Sequence, residues 1–148
     1  MHIRFNNREL EAKSIFKSDY WNVYYFPSIR CMFVKWHEPS RKMNALEHLY
    51  KDHLLSLAAK VEEHHPVSIF VDATEKMYIA NQGTRTWHDT VIVPKFHHGG
   101  VRKMAFLESD NIFVNSTTIK TFEEQTAKNL LEVAFFNDRD SAEKWVTK

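Results

Sequence analysis

Polar side chains follow three apolar segments of the sequence, and they are the residues best suited to bind a ligand. Asp72, Thr74 and Lys76 come directly after the most apolar of these segments, residues 66–71. If the three segments are parallel neighbours in a sheet, the residues that follow them lie at one edge, where α/β proteins bind ligands. We therefore predict a ligand-binding site, without catalysis, for a small polar or acidic molecule. Besides those three residues, it comprises His37, Ser40, Asn81, Glu108, Asp110 and Asn111.

Structural roles explain some of the same residues equally well. Ser40, Asn81 and Asp110 each precede a predicted helix, where such side chains cap free backbone amides. Those amides can also hold an anion, so capping and ligand binding both fit the sequence. Asp72 and Glu108 would support acid–base chemistry only if burial or mutual repulsion moved one pKa towards neutrality. Since no nucleophile, phosphate-loop or dinucleotide motif is present, we expect a protein that is not an enzyme and needs no cofactor.

Histidines and the single cysteine are the remaining chemically active groups. His64, His65, His97 and His98 end two predicted helices and should meet at the sheet end opposite the ligand edge. Imidazoles are favoured at helix C-termini without any metal, and their spacing matches no zinc motif, so we predict no metal site. Cys31 lies in an apolar strand and is predicted to be an unreactive core thiol. A lone cysteine and the lack of an apolar leader favour a cytoplasmic protein.

The spacing of apolar residues predicts one α/β domain over residues 1–148, with four helices and a mixed sheet. Residues 21–26 and 29–36 form an antiparallel hairpin, and residues 1–13 form an arm or weak edge strand. Residues 66–72 are apolar on both faces, which is typical of an interior parallel strand. Parallel β-α-β units continue to the end of the chain. The four helices are predicted from Ser40 to His65, from Asn81 to His98 with a kink at Pro94, over residues 110–129, and from Asp138 onward.

The amino-acid composition indicates which classes of binding partner the protein has. The net charge is +1, and both signs are mixed along the chain, so no basic surface for nucleic acid is indicated. No apolar run approaches the ~20 residues of a membrane span. The hairpin is rich in aromatic residues, which predict a core face, a surface for a protein partner or a second copy, or a pocket for an apolar or lipid-like ligand. These aromatic residues are Trp21, Tyr24, Tyr25, Phe26, Phe33 and Trp36.

A set of short segments occurs along the chain in this order: Val71-Asp72, Trp87 and Pro94, Lys103-Met104-Ala105-Phe106, Phe122-Glu123-Glu124-Gln125, Phe135-Phe136-Asn137-Asp138 and Ala142-Glu143-Lys144-Trp145. This ordered set resembles the bacterial STAS/SEC14-like, or SpoIIAA-like, domains. The resemblance covers residues 20–146 and implies a mixed sheet whose helices wind in one sense. Members of this family are small cytoplasmic proteins, mostly without an assigned function. We expect a non-catalytic binding or regulatory module of the STAS-like type, which acts through protein contacts. The alternative is a carrier or sensor of a small or lipid-like molecule, bound at the sheet edge or under the hairpin.

The phosphorylated motif of the wider superfamily is missing from this chain. Anti-sigma-factor antagonists carry Asp-Ser, a further residue and glycine at the start of the helix after the central strand. Here the strand is followed by Ala73-Thr74-Glu75, and the helix begins near Asn81-Gln82-Gly83-Thr84. Thr74 and Thr84 correspond to that serine only by loose analogy.

Overall fold

The fold is a mixed sheet covered on both faces, in a computed structural model that describes residues 1–148. The strands are β1 (His2–Phe5), β2 (Arg8–Glu11), β3 (Lys13–Lys17), β4 (Trp21–Phe26), β5 (Cys31–Trp36), β6 (Ser68–Asp72), β7 (Lys103–Leu107) and β8 (Glu132–Phe136). The helices are α1 (Glu47–His64), α2 (Gln82–Trp87), α3 (Val93–His98), α4 (Ile112–Glu123), α5 (Gln125–Leu130) and α6 (Arg139–Val146).

The main sheet has six strands in chain order, from β3 to β8. The first three pair antiparallel, and β5, β6, β7 and β8 pair parallel. β6 is interior, because Phe70 lies opposite Phe33 of β5 on one side and Ala105 of β7 on the other. The predicted interior position of the apolar segment, the antiparallel hairpin and the parallel units after it are therefore confirmed.

Alternate side chains of the strands form two separate apolar clusters, one on each face of the sheet. On the first face, the side chains of β4 to β7 pack against α1, α3 and α5, as expected for right-handed β-α-β connections. On the second face, Phe33, Phe70 and Leu107 pack against α6 and the β1–β2 hairpin. Both faces are therefore buried, which explains why β5, β6 and β7 are almost continuously apolar.

The first residues form a hairpin of their own. β1 and β2 make a two-stranded sheet separate from the main one, so they are an arm across the second face and not an edge strand. Phe5 is fully buried there, with its ring centroid 5.0 Å from that of Phe26 and 5.4 Å from that of Phe70. Asn6 N–H donates to Glu143 Oε1 of α6 at 3.0 Å, which joins the two covering elements.

Six α-helices are present where four were predicted. The predicted second helix has one π-helical turn, His88–Ile92, between α2 and α3. It directly precedes α3 and Pro94, whose ring cannot donate a backbone hydrogen bond. The predicted third helix breaks at Glu124, whose backbone is extended. A new helix begins there because the buried Asp89 carboxylate accepts hydrogen bonds from the N–H groups of Thr126 and Ala127, at 3.0 and 2.7 Å.

Helix starts confirm some predicted caps and correct others. Asn81 and Asp138 cap α2 and α6 as predicted, each accepting from a backbone N–H three residues on. Asn111, and not Asp110, caps α4. Ser40 caps no α-helix, because it lies in a 3₁₀ segment, Glu38–Asn44, and α1 begins only at Glu47.

No helix combines the length and apolar character that crossing a bilayer requires.

Candidate functional site

The residues predicted to form one site lie in several different environments. Thr74, Asp110 and Asn111 share an open depression of about 360 Å³ at the carboxyl edge of the sheet. Its other polar lining residues include Glu38 and Glu75, so three carboxylates face it and no lysine or arginine does. That charge disfavours the acidic ligand we predicted for this edge.

At the same edge, the Asp72 carboxylate contacts other residues of the protein and has a structural role. Its buried carboxylate accepts from the backbone N–H of Thr74 at 3.0 Å and from its hydroxyl at 2.6 Å. Lys35 Nζ and Arg139 Nη1 lie 3.6 and 3.5 Å from Asp72 Oδ2. The Arg139 guanidinium also stacks over the rings of Phe33 and Phe70 on the second face. Asp72 therefore ties its loop to β5 and α6.

Other predicted site residues do not converge on a ligand. Ser40 Oγ accepts a hydrogen bond from Met77 N–H at 3.0 Å, which fixes the loop after β6. Asn81 Oδ1 accepts the hydrogen bond from Thr84 N–H that caps α2. Glu108 lines a different shallow depression, beside α4. His37 lies just before the 3₁₀ segment, and its backbone N–H donates to Tyr20 O at 2.8 Å.

Lys76 is the exception among the predicted residues, because its side chain turns into the protein interior. It is 7% exposed, and its Nζ donates to Thr118 Oγ1 of α4 at 2.9 Å. The same nitrogen lies 5.0 Å from the centre of the Trp36 ring, a favourable position for a cation or an N–H group. Lys76 forms no ion pair, although it belongs to a loop rich in polar groups.

The Lys76 side chain lines a cavity between the first face of the sheet and helices α1, α3 and α4. The cavity has a volume of about 40 Å³, which is room for about three waters. Eleven of its fifteen lining residues are hydrophobic. The lining consists of Trp21, Val34, Trp36, Tyr50, Leu54, Leu57, Val71, Lys76, His88, Phe96, Met104, Phe106, Thr118, Thr121 and Phe122.

Burial without a counter-ion changes the protonation of Lys76. No aspartate or glutamate lines the cavity, so nothing there compensates for an ammonium charge. Removal of the amine from water lowers the pKa of Lys76 to about 7. At neutral pH a large fraction of the side chain is therefore the neutral amine, whereas an exposed lysine is almost entirely protonated.

His88 is a second buried polar group on the cavity wall. It lies in the π-helical turn, is 3% exposed, and its Nδ1 has no hydrogen-bond partner. Burial, helped by the nearby charge of Lys76, lowers the pKa of His88 to about 3, so its imidazole is neutral at physiological pH. The ring packs edge-on against Phe122, with 5.1 Å between centroids. Turns of π-helix occur frequently at functional sites.

Neighbouring contacts hold the polar groups of the cavity in place. Ser109 Oγ donates to the backbone O of Lys76 at 3.1 Å, which fixes the loop that carries the amine. Thr118 Oγ1 donates to Val114 O at 3.0 Å, so its lone pairs are directed to the lysine. Tyr50 stacks on Tyr78, with ring centroids 4.2 Å apart, and burial raises the pKa of its phenol. The site is therefore preorganised, with a nucleophilic nitrogen, an imidazole and hydroxyls in apolar surroundings.

Of the polar groups of this cavity, sequence reasoning named only Lys76, which it expected at the carboxyl edge of the sheet. His88, Ile92 and Phe96 are all buried and spaced four apart, which is a helical stripe that could have indicated an inward histidine. Thr118 gave no comparable signal, because a threonine within a helix usually bonds its own backbone.

Metal ligands are not grouped in this structure. No three histidine, cysteine, aspartate or glutamate side chains gather as a metal site would require. The ends of α1 and α3 do adjoin, as the topology predicted, because His65 Nδ1 lies 3.0 Å from Gly99 O. Cys31 is fully buried, as predicted, and burial raises the pKa of its thiol to about 12.

The chain matches no protein-family model, no curated protein and no solved structure.

Proposed function

We propose that this protein is a carrier or sensor that binds a small molecule in the cavity beside Lys76. The ligand has a short apolar body and one hydrogen-bond acceptor, which the Lys76 nitrogen holds. The observation that carries this proposal is the unpaired buried lysine on an otherwise apolar cavity wall. Burial of an amine without a counter-ion destabilises the folded state. Ionisable groups in such surroundings are found most often at functional sites.

The lining explains which ligands fit. Apolar side chains favour a hydrocarbon body, and only Lys76, Thr118 and His88 offer polar groups to orient it. Two of the three N–H positions of a lysine ammonium remain free when Thr118 accepts one. A ligand acceptor can therefore bind without displacing the internal bond. The small volume of the cavity restricts the ligand to a short-chain compound.

A titration followed by NMR tests this function. Butyrate and 2-butanone serve as acceptor probes, and butylammonium serves as a probe of similar size whose charge finds no carboxylate in the cavity. We expect the two acceptors to shift the Met104 and Leu54 methyl signals and the Trp36 indole signal, and butylammonium to leave them unchanged. The Lys76→Met variant should lose the butyrate response. Lys103→Met is the matched control, because Lys103 Nζ also lies 5.0 Å from an indole ring, that of Trp145, but outside the cavity. Shifts confined to the sheet edge would contradict the proposal.

A regulatory role through protein contacts is a second proposal. Ile112 and Phe113, at the start of α4, are 73% and 67% exposed, although both are large and apolar. Exposed apolar groups mark interaction sites, and this pair is small enough to suit a weak contact between two copies. Sedimentation velocity over a range of concentrations tests it. Self-association should be present in the natural protein and absent from a variant with Ile112→Ser and Phe113→Ser; a monomer at all concentrations would contradict this role.

We also propose that the chain is a relative of the SpoIIAA-like domains. Four parallel strands in chain order, with the helices between them on one face, support this assignment. The lone buried thiol of Cys31 is in keeping with a reducing compartment such as the cytoplasm.

A further inference from the structure

We propose that the cavity binds a short-chain aldehyde or ketone, and that Lys76 Nζ joins its carbonyl carbon as a reversible imine. This inference rests on the proposed function and names the chemical class of its ligand.

The surroundings of the Lys76 amine favour nucleophilic attack. The nitrogen lies in an apolar cavity, its single hydrogen bond is to a hydroxyl, and no carboxylate stabilises its protonated form. Lysines activated by desolvation in apolar pockets form Schiff bases with carbonyl substrates. The pKa of about 7 that burial gives Lys76 agrees with this geometry, because the neutral amine is the nucleophile.

A carbonyl compound suits the charge balance of the cavity better than an acid does. A carboxylate binds only the ammonium form of Lys76, and the pair would need further donors for its remaining lone pairs. The imine needs no counter-ion in its neutral form, so it removes the unpaired ammonium from the apolar site. The cavity lining offers no second cation that would hold a carboxylate.

The step balances without an oxidant or reductant. The Lys76 nitrogen lone pair attacks the carbonyl carbon, the C=O π pair moves to oxygen, and a proton passes from nitrogen to that oxygen. The resulting hydroxyl group leaves as water with one added proton, while the nitrogen forms the C=N bond and loses its remaining proton. One water is released for each imine formed.

His88 is a hydrogen-bonding group for this step and not its acid. Its imidazole lines the same cavity, but burial lowers its pKa to about 3, so it carries no extra proton to donate at pH 7. Its Nδ1 has no partner in the protein and is free to form a hydrogen bond with the hydroxyl of the intermediate. Of the groups on the cavity wall, only Lys76, His88 and Tyr50 titrate, and no acidic residue competes for the proton.

Reductive trapping tests the inference. The full chain is incubated with butanal and cyanoborohydride at pH 7, and peptides are mapped by mass spectrometry. Among the lysine side chains we expect one butyl group, placed on Lys76, at a rate on the order of tenfold or more above that of any exposed lysine. A free α-amino terminus also reacts at pH 7, and its peptide is counted separately. The rate at Lys76 should rise with a midpoint near pH 7, whereas exposed lysines should react faster only at higher pH. His88→Leu should slow the reaction at Lys76 while leaving labelling elsewhere unchanged.

Control variants separate the outcomes. Lys76→Met should remove the fast label, and Lys103→Met should keep it; a cooperative unfolding transition for each variant at pH 8 would show that both are folded. Equal labelling of many lysines would overturn the inference. Butyrate shifts in the cavity without a Lys76 adduct would overturn imine formation and leave the proposed function standing. Failure of every probe to reach the cavity would overturn both.

Discussion

The Nζ of Lys76 and the Oγ1 of Thr118 lie 2.9 Å apart in the interior, although the residues are 42 positions apart in the chain. This bond joins the loop after β6 to the middle of α4, across the cavity wall. It is the only hydrogen bond of the lysine side chain, and the unfolded chain would hydrate the same amine fully. Burial of the Lys76 amine therefore lowers the stability of the fold. Such a group is expected where it serves a function.

Replacement of Lys76 by Met should make stability less dependent on pH. The folded pKa of about 7 lies below the ordinary value of 10.5, so the unfolded chain binds more protons between those values. The free energy of unfolding of the natural protein should therefore rise with pH above about 7, by about 2 kcal/mol over two pH units, relative to Lys76→Met. Urea unfolding of both proteins between about pH 6 and 9 measures the difference. Parallel curves throughout would show that the lysine keeps its ordinary pKa.

Replacement of His88 by Leu should protect the fold against acid. Because the folded pKa is about 3 and the ordinary value is 6.5, the unfolded state binds the extra proton between them, and stability falls as pH decreases through that window. The variant should lose less stability than the natural protein when pH is lowered from about 6.5 to 4.5, by a margin of about 2 kcal/mol. His98→Leu, at an exposed histidine, is the control and should follow the natural curve.

Removal of the Asp89 carboxylate should destabilise the protein more than removal of an exposed helix cap. Asp89 is buried and satisfies two backbone N–H groups at the start of α5. Asp89→Ala should cost about 2–4 kcal/mol, since both buried donors would lose their partner. Asp138→Ala, at the exposed start of α6, should cost clearly less. Chemical denaturation compares the two, and equal losses would contradict the structural role of Asp89.

Replacement by alanine should change stability in opposite directions at Gly99, which follows α3, and at Gly83, near the start of α2. A Cβ at Gly99 would lie 2.5 Å from Val61 Cγ1 of α1, which is too close, so Gly99→Ala should destabilise by about 1–3 kcal/mol. A Cβ at Gly83, within α2, meets nothing closer than 3.5 Å, so Gly83→Ala should stabilise by up to about 1 kcal/mol. Thermal unfolding measures both. The same sign of change at both positions would show that contact with α1 does not decide the outcome.

Apolar periodicity predicted the sheet well, because strands that are buried on both faces must be apolar throughout. The interior place of β6 and the parallel β-α-β units after it followed from that rule. Helix ends were less predictable. The break at Glu124 depends on Asp89, a residue 35 positions earlier, and no local pattern reports such a contact.

The candidate site was harder to predict than the fold, because it depends on the direction of one side chain. Lys76 was expected at the sheet edge with Asp72 and Thr74, which are its neighbours in sequence. Those two bond each other, whereas the loop turns Lys76 into the space between β5 and α4. Neither periodicity nor a motif indicates that a lysine in a polar loop turns inward.

Asn6 and Glu143 are in contact across almost the whole length of the sequence. During synthesis, the N-terminal hairpin leaves the ribosome long before α6 exists. Phe33 and Phe70 therefore remain partly uncovered until α6 is made. Slow elongation between β6 and α6 should prolong this exposed stage and increase demand for chaperones.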